Sequence, residues 1–248
     1  MTGTNKKQIQ AIPLKDIGAE SLTQFSMDPL PDTLALSIKE LGITHPVLLA
    51  RKDKKYQIVC GHRRVECARL LKLETIPALV LEGAPPPAQM LQRNLLENRA
   101  QRTYSDIEKG GIVHKLATAG VPEAEIIKEY LPLIDLERSK KLFADLSQCA
   151  TFPESLSALL HGLNLPLRVF AILFRWDEAS QAAAETLLGT LRPGVNKCRE
   201  LLELTGETAV KENTSPYEIL NRKEIQIPLN NTDLPVNKKY EAVHQQLR

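Results

Sequence analysis

The stretch Tyr56-Gln-Ile-Val-Cys-Gly-His-Arg-Arg-Val-Glu-Cys-Ala-Arg-Leu-Leu71 constrains the fold of this chain more than any other part. Tyr56, Ile58 and Val59 read as a strand that breaks at Gly61, and Val65, Ala68, Leu70 and Leu71 then follow helical spacing. Before it, the apolar run Val47 to Ala50 and the polar turn Asp53-Lys54-Lys55 make the strand one arm of a hairpin. After it, Ile76 to Leu81 reads as another strand, so the segment is a mixed α/β domain. A glycine between strand and helix lets the backbone approach a ligand closely. The free N–H groups of the first turn carry partial positive charge, and Arg63 and Arg64 add fixed donors. The natural occupant of such a corner is phosphate. First-turn arginines more often sit solvated or pair with acids, so the corner alone does not define a site.

A second motif, Leu91-Gln-Arg-Asn-Leu-Leu-Glu-Asn-Arg-Ala-Gln-Arg102, leads into Ser105-Asp-Ile-Glu108, a capping box that opens the next helix. The blocks run in a definite order: Ile12-Pro13, Ser37-Ile-Lys-Glu-Leu-Gly-Ile-Thr-His-Pro46, Gly61-His-Arg-Arg64, Ile76-Pro77, Glu97-Asn98 and Ile107-Glu108. In that order and spacing, roughly the first half of the chain resembles the amino-terminal domain of the ParB family of partition proteins.

The resemblance implies a nucleotide site. Gly61, His62, Arg63 and Arg64 would hold the triphosphate of CTP, and Glu97 with Asn98 would address a magnesium ion bridging the phosphates. Magnesium commonly takes one or two protein oxygens beside phosphate and water, which this pair can supply. The plainer role for Glu97 and Asn98 is capping the end of a helix. The sequence departs from the family at two places. His62 stands where the family usually has glutamate, exchanging a negative charge for a group that ordinarily titrates near neutrality. Gln101 falls where the family places an arginine, with Arg99 and Arg102 on either side, and Arg102 is counted with the binding set.

With 248 residues, a quarter of them charged and 43% apolar, the chain is long enough for two domains and too polar for a membrane protein. No apolar run approaches bilayer length, and Met1 to Lys7 lack a signal-peptide core, so the expected location is the cytoplasm; association with a bacterial nucleoid is what the resemblance implies. Cys60, Cys67, Cys149 and Cys198 form neither a disulfide framework nor a zinc site and are read as reduced and structural. A net charge of +2 makes no global case for nucleic acid. Locally, Arg51, Lys52, Lys54, Lys55, Arg63, Arg64, Arg69 and Lys72 outnumber Asp53 and Glu66, a basic patch expected to surround the phosphate corner.

Beyond Tyr104 the pattern is helical. Segments are expected from Ser105 to Ala119, Pro122 to Tyr130 and Asp135 (as N-cap) to Gln148, with others starting near Pro153, Pro166 and Asp177 and one running from Pro193 to Leu204 before Gly206. The pair joined by Leu131-Pro-Leu-Ile134 sits where ParB-like proteins carry a helix-turn-helix. Its second helix would offer Arg138, Ser139, Lys140 and Lys141 to DNA, although ordinary helical packing fits the same pattern. The organisation is thus α+β: a ParB/sulfiredoxin-like domain over 1–103, a helical domain over 104–205, and a polar linker over 206–248 that contains a small helix start at Ser215-Pro216 and ends in a helix after Pro235. Ala84-Pro-Pro-Pro-Ala88 reads as a stiff linker. The abrupt end on Arg248, with no helix-stop signal, reads as a chain trimmed from a longer one.

What the resemblance implies as a whole is a nucleotide switch. CTP and Mg2+ would control self-association into a dimer on double-stranded DNA, in partition, nucleoid organisation or transcription, with slow CTP hydrolysis and a partition ATPase as a further partner. Two alternatives stand beside it. One is a sulfiredoxin-type ATP-dependent phosphotransfer using Cys60 of Cys60-Gly-His-Arg63, with cysteine and glycine in the reverse of the order that chemistry uses. The other is a ParB-like nuclease, for which clustered carboxylates are wanted.

Overall fold

A computed structural model of the protein describes residues 8–19, 22–81, 83, 85–99 and 101–248. The expectation for Met1 to Lys7, and Ala84 of the proline-rich linker, lie outside them. The fold is α+β, and the chain divides into two compact units, Met1–Tyr104 with Ile112–Ser139 and Ser105–Gly111 with Lys140–Arg248.

The first unit is built on a four-stranded sheet of β1 (Ile9–Pro13), β2 (Val47–Lys52), β3 (Lys55–Cys60) and β4 (Thr75–Leu81), ordered β1-β4-β2-β3. β2 pairs with β3 and β1 with β4 antiparallel, whereas β2 and β4 run parallel. Alternation along the strands separates two apolar faces. Val47, Leu49, Ile58, Ile76 and Ala78 pack with Val65 and Ala68 of α2 (His62–Leu70). Ala50, Val59, Cys60 and Leu81 pack with Met90 of α3 (Pro87–Asn98) on the other face. The hairpin, the Gly61 corner and the last strand thus follow the sequence reading. β1 and the helix Asp32–Leu41, α1 here, were not legible: Ile9-Gln-Ala-Ile-Pro is short and acquires its strand form by pairing with β4.

The helices that follow are α4 (Asp106–Thr118), α5 (Glu123–Glu125), α6 (Lys140–Gln148), α7 (Glu154–Gly162), α8 (Leu167–Phe170), α9 (Glu178–Leu191), α10 (Val195–Lys211), α11 (Pro216–Leu220), α12 (Lys223–Asn230) and α13 (Val236–Leu247). The Ser105 to Glu108 box forms as read: Ser105 N donates to Glu108 Oε2 at 2.9 Å and Glu108 N to Ser105 Oγ at 3.3 Å. Asp177 caps α9 through Ser180 N, and Ser215 caps α11 through Glu218 N. Among the described residues, no helix is long and apolar enough to cross a membrane.

Three helical expectations are corrected. Asp135 is not an N-cap: it adopts left-handed backbone at φ 58° and closes a 3-10 turn over Leu131–Ile134, a geometry aspartate tolerates as readily as capping. α6 therefore starts at Lys140, and Arg138 and Ser139 precede it in an irregular stretch. Secondly, α10 runs through Gly206 to Lys211. A helical glycine costs about 1 kcal/mol relative to alanine. Burial of Leu201 and Leu202, at roughly 1.5–3 kcal/mol for each fully buried side chain, outweighs it. Finally, the region from 206 onward is no polar linker. It continues α10 and adds α11, α12 and α13, with Ile219, Leu220, Ile225, Leu229 and Val243 buried.

Candidate functional site

Gly61 ends β3 and caps α2 in left-handed backbone, φ 98°, a conformation that strains an L side chain. A Cβ there would lie 2.7 Å from Val47 Cγ1 and 3.2 Å from an Arg64 guanidinium nitrogen. The chain can turn here only without a side chain, and the turn places Arg63 and Arg64 in the first turn of α2 beside a cleft of about 300 Å³. Gly61, His62, Arg63, Arg64, Glu97, Asn98 and Arg102 all line this cleft, so the residues proposed from sequence for a nucleotide converge. Of the two arginines flanking Gln101, Arg102 is in the lining and Arg99 is not.

The opposite wall is the loop from Thr23 to Asp28, which sequence reasoning missed. Arg63 donates to Ser26 Oγ at 2.8 Å and to Asp28 Oδ2 at 2.9 Å, while the Arg102 guanidinium stands 3.7 Å from the same carboxylate oxygen and over the Tyr104 ring. Arg63 Nε is buried and has no hydrogen-bond partner among the described residues. Arg64 is tethered differently: one guanidinium nitrogen donates to the His45 and Pro46 carbonyls at 2.6 and 2.9 Å, and the other lies 3.8 Å from Glu97 Oε1. Loop residues carry no periodic signal, and Asp28 reaches Arg63 across 35 positions of sequence.

His62 does not behave as its residue type suggests. The Thr23 hydroxyl donates its one hydrogen to the Ile58 carbonyl at 2.8 Å, so it accepts from His62 Nε2 at 2.8 Å, which fixes the Nε2–H tautomer. Burial, then the positive charges of Lys115 and Arg69, lower its pKa from 6.5 to about 4. The expected titration near neutrality is therefore absent, because desolvation disfavours the imidazolium.

On α3, Asn94 is buried and donates to the Val59 carbonyl at 2.6 Å, and Asn98 one turn on donates to the Asn94 backbone oxygen and Oδ1 at 2.9 and 2.8 Å. This fixes the Asn98 amide with its nitrogen inward and leaves its oxygen as the group it can offer a ligand. The Asn94 and Asn98 spacing of one helical turn was the sequence signal that could have revealed this pair. Cys60 is buried, and burial followed by the nearby Glu97 carboxylate pushes its thiol pKa well up. A thiol held protonated is a poor nucleophile, which opposes the sulfiredoxin-type alternative.

The basic patch does not surround the corner as expected. Arg63 and Arg64 lie in the cleft, Arg69 donates to the Ile17 and Gly18 carbonyls, and Arg51, Lys52, Lys54 and Lys55 sit at the far end of β3, at the hairpin tip. Farther along the chain, Arg138, Lys140 and Lys141 are exposed and Ser139 is half-buried. Arg138 Nε donates to the Lys128 carbonyl at 2.9 Å.

Residues 1–99 match the family model described as the ParB N-terminal domain. Over 221 residues, 88% of the chain, it is 25% identical to the "Probable plasmid-partitioning protein ParB" of Xylella fastidiosa, of which the match covers 50%. It is 31% identical to the nucleoid occlusion protein of Shouchella clausii over 46% of this chain and 40% of that one. With stage 0 sporulation protein J of Bacillus subtilis it is 30% identical over 50% of this chain and 42% of that one. The chain thus spans half or less of the length of these relatives. A truncated ParB of Caulobacter crescentus, solved in complex with the centromeric parS site, covers 78% of this chain and 98% of its own at 17% identity with a TM-score of 0.42. The same protein complexed with CTP-γ-S covers 72% and 94% at 20% identity with a TM-score of 0.35.

Proposed function

We propose that this protein is a nucleotide-dependent DNA-binding protein of the ParB type, acting in DNA partition or nucleoid organisation as a dimer whose assembly the nucleotide controls. The observation that carries the nucleotide half is the Gly61 corner, where an added Cβ would meet Val47, beside a cleft lined by Arg63, whose buried Nε has no hydrogen-bond partner among the described residues. Buried polar groups are almost always paired, so an orphaned guanidinium N–H beside a helix N-terminus favours an anionic ligand. Phosphate oxygens entering the cleft take hydrogen bonds from Arg63 and Arg102 in competition with Asp28, whereas Arg64, tied to His45 and Pro46, holds the adjoining loop in place.

The magnesium ion that the family resemblance implies fits the donors present, the Glu97 carboxylate and the Asn98 amide oxygen, both hard oxygens. Bound there it would neutralise phosphate charge. CTP is the nucleotide the resemblance implies. The DNA half rests on the recurrence of partition and nucleoid occlusion proteins among the relatives and on the exposed cations Arg138, Lys140 and Lys141.

Calorimetry with CTP, UTP, ATP and GTP, with and without magnesium, tests the nucleotide half. CTP should bind tightest and bind more tightly with magnesium, and Gly61→Ala should weaken it at least about tenfold, the effect of roughly 1–2 kcal/mol of left-handed strain plus the clash with Val47. Wild-type protein that binds none of the four, or a Gly61→Ala variant with unchanged affinity, sinks the reading.

A further inference from the structure

Four of the five residues Arg51 to Lys55 are cationic, and all five are exposed. With Asp53 as their only acid they carry +3, more than the net charge of the entire chain. The nucleotide cleft does not use this charge. β3 is six residues long, from Lys55 at the tip to Cys60 beside the corner, so about 17 Å of strand separates the two at about 3.3 Å per residue. That exceeds the Debye length of roughly 8 Å at physiological salt, and the tip cations therefore contribute little to holding a phosphate at Gly61.

Lys52 and Lys55 are register partners, which brings two cationic side chains to the same face of the antiparallel pair. Among the described residues no carboxylate pairs with Lys54 or Lys55. The tip is also stiff. Pairing persists to the last residues of both strands, the turn is Asp53-Lys54 with Asp53 at φ 54°, and the Arg51 guanidinium lies over the Tyr56 ring at 5.9 Å. With the backbone already paired, only the side-chain freedom of the exposed lysines remains to be lost on meeting an anion. Beside them, Gly18, Ala19 and the strand from Tyr56 to Gln57 line a shallow hollow of about 540 Å³.

We propose that the β2–β3 hairpin tip is a second DNA-binding surface, which grips the phosphate backbone of a duplex independently of sequence and apart from the nucleotide cleft. Duplex DNA is the occupant that fits, because it presents one negative charge per about 1.7 Å of axis and can face several clustered cations at once. Exposed lysines on an edge strand also discourage edge-to-edge pairing, and β3 is an edge of this sheet. Edge protection by itself would leave DNA affinity untouched.

This inference rests on the DNA-binding reading above, and the experiment separates the two. Duplex binding of the full chain is measured between 50 and 200 mM salt, together with Lys54→Gln/Lys55→Gln, two exposed changes that leave the core intact. The expected result is weaker binding at low salt and a log–log salt slope shallower by up to about 0.9 for each phosphate no longer neutralised, with nucleotide affinity unchanged. Wild-type protein that fails to bind duplex removes the DNA-binding reading and the role of the hairpin with it. Wild-type binding with the variant's slope unchanged overturns the role of the hairpin alone, whether the variant aggregates or loses affinity for vesicles containing phosphatidylglycerol.

Discussion

Asp28 is the residue most at odds with the chemistry around it. A carboxylate 2.9 Å from Arg63 and 3.7 Å from Arg102 competes with phosphate for both guanidiniums. An exposed ion pair of this kind is worth up to about 1 kcal/mol, so Asp28→Asn should tighten triphosphate binding several-fold in calorimetry. Weaker binding instead would show that Asp28 aims Arg63 at the ligand. His62 makes a prediction of opposite character. Its folded pKa of about 4 lies below the ordinary 6.5, so the folded state prefers the neutral ring. The stability tied to that preference is fully present above pH 6.5 and is lost as pH falls toward 4, up to about 3 kcal/mol. His62→Gln should flatten the fall of melting temperature between those pH values, and an unaltered slope would place the titration elsewhere. Glycine and arginine at the corner were legible in sequence because backbone geometry ties them to one place. The environment of His62 was not, since it depends on Thr23 and Lys115, which are distant in sequence, as well as on Arg69 of its own helix.

Elements whose signals are local were the ones read correctly. The hairpin follows from strand alternation and a polar turn, α2 from the glycine that precedes it, and α4 from its capping box. The box permits a direct check. Ser105→Ala removes the acceptor of the Glu108 N–H and should cost about 1 kcal/mol, a drop of roughly 2–4 °C in melting temperature for a chain of this size. No drop would mean that water replaces the cap without loss. Where local signals compete, the reading failed. Asp135 is as suited to a left-handed turn as to a cap, and Gly206 marks a helix end only when no buried neighbours hold the helix together. The apolar spacing of Leu201, Leu202, Thr205 and Ala209 was the better guide there.

At the scale of the whole chain, an almost neutral total conceals where the charge lies, and this is why composition argued neither for nor against nucleic acid. Arg138→Ala/Lys140→Ala/Lys141→Ala should weaken duplex binding and flatten its salt dependence by up to about one unit for each phosphate left without its cation, with nucleotide affinity untouched. If the triple variant matches wild type across the salt series, the segment before and within α6 does not meet DNA. The change of pattern near Tyr104 marked where strands give way to helices, but not the division of the chain into its two compact units, the first of which takes in Ile112–Ser139 as well as Met1–Tyr104 and so splits α4. All four cysteines are free and buried, and burial raises the pKa of each. The native protein therefore offers maleimide reagents a nearly silent background. A single cysteine introduced at an exposed position such as Lys54 or Lys140 can carry a crosslinker or spin label without first removing the natural thiols.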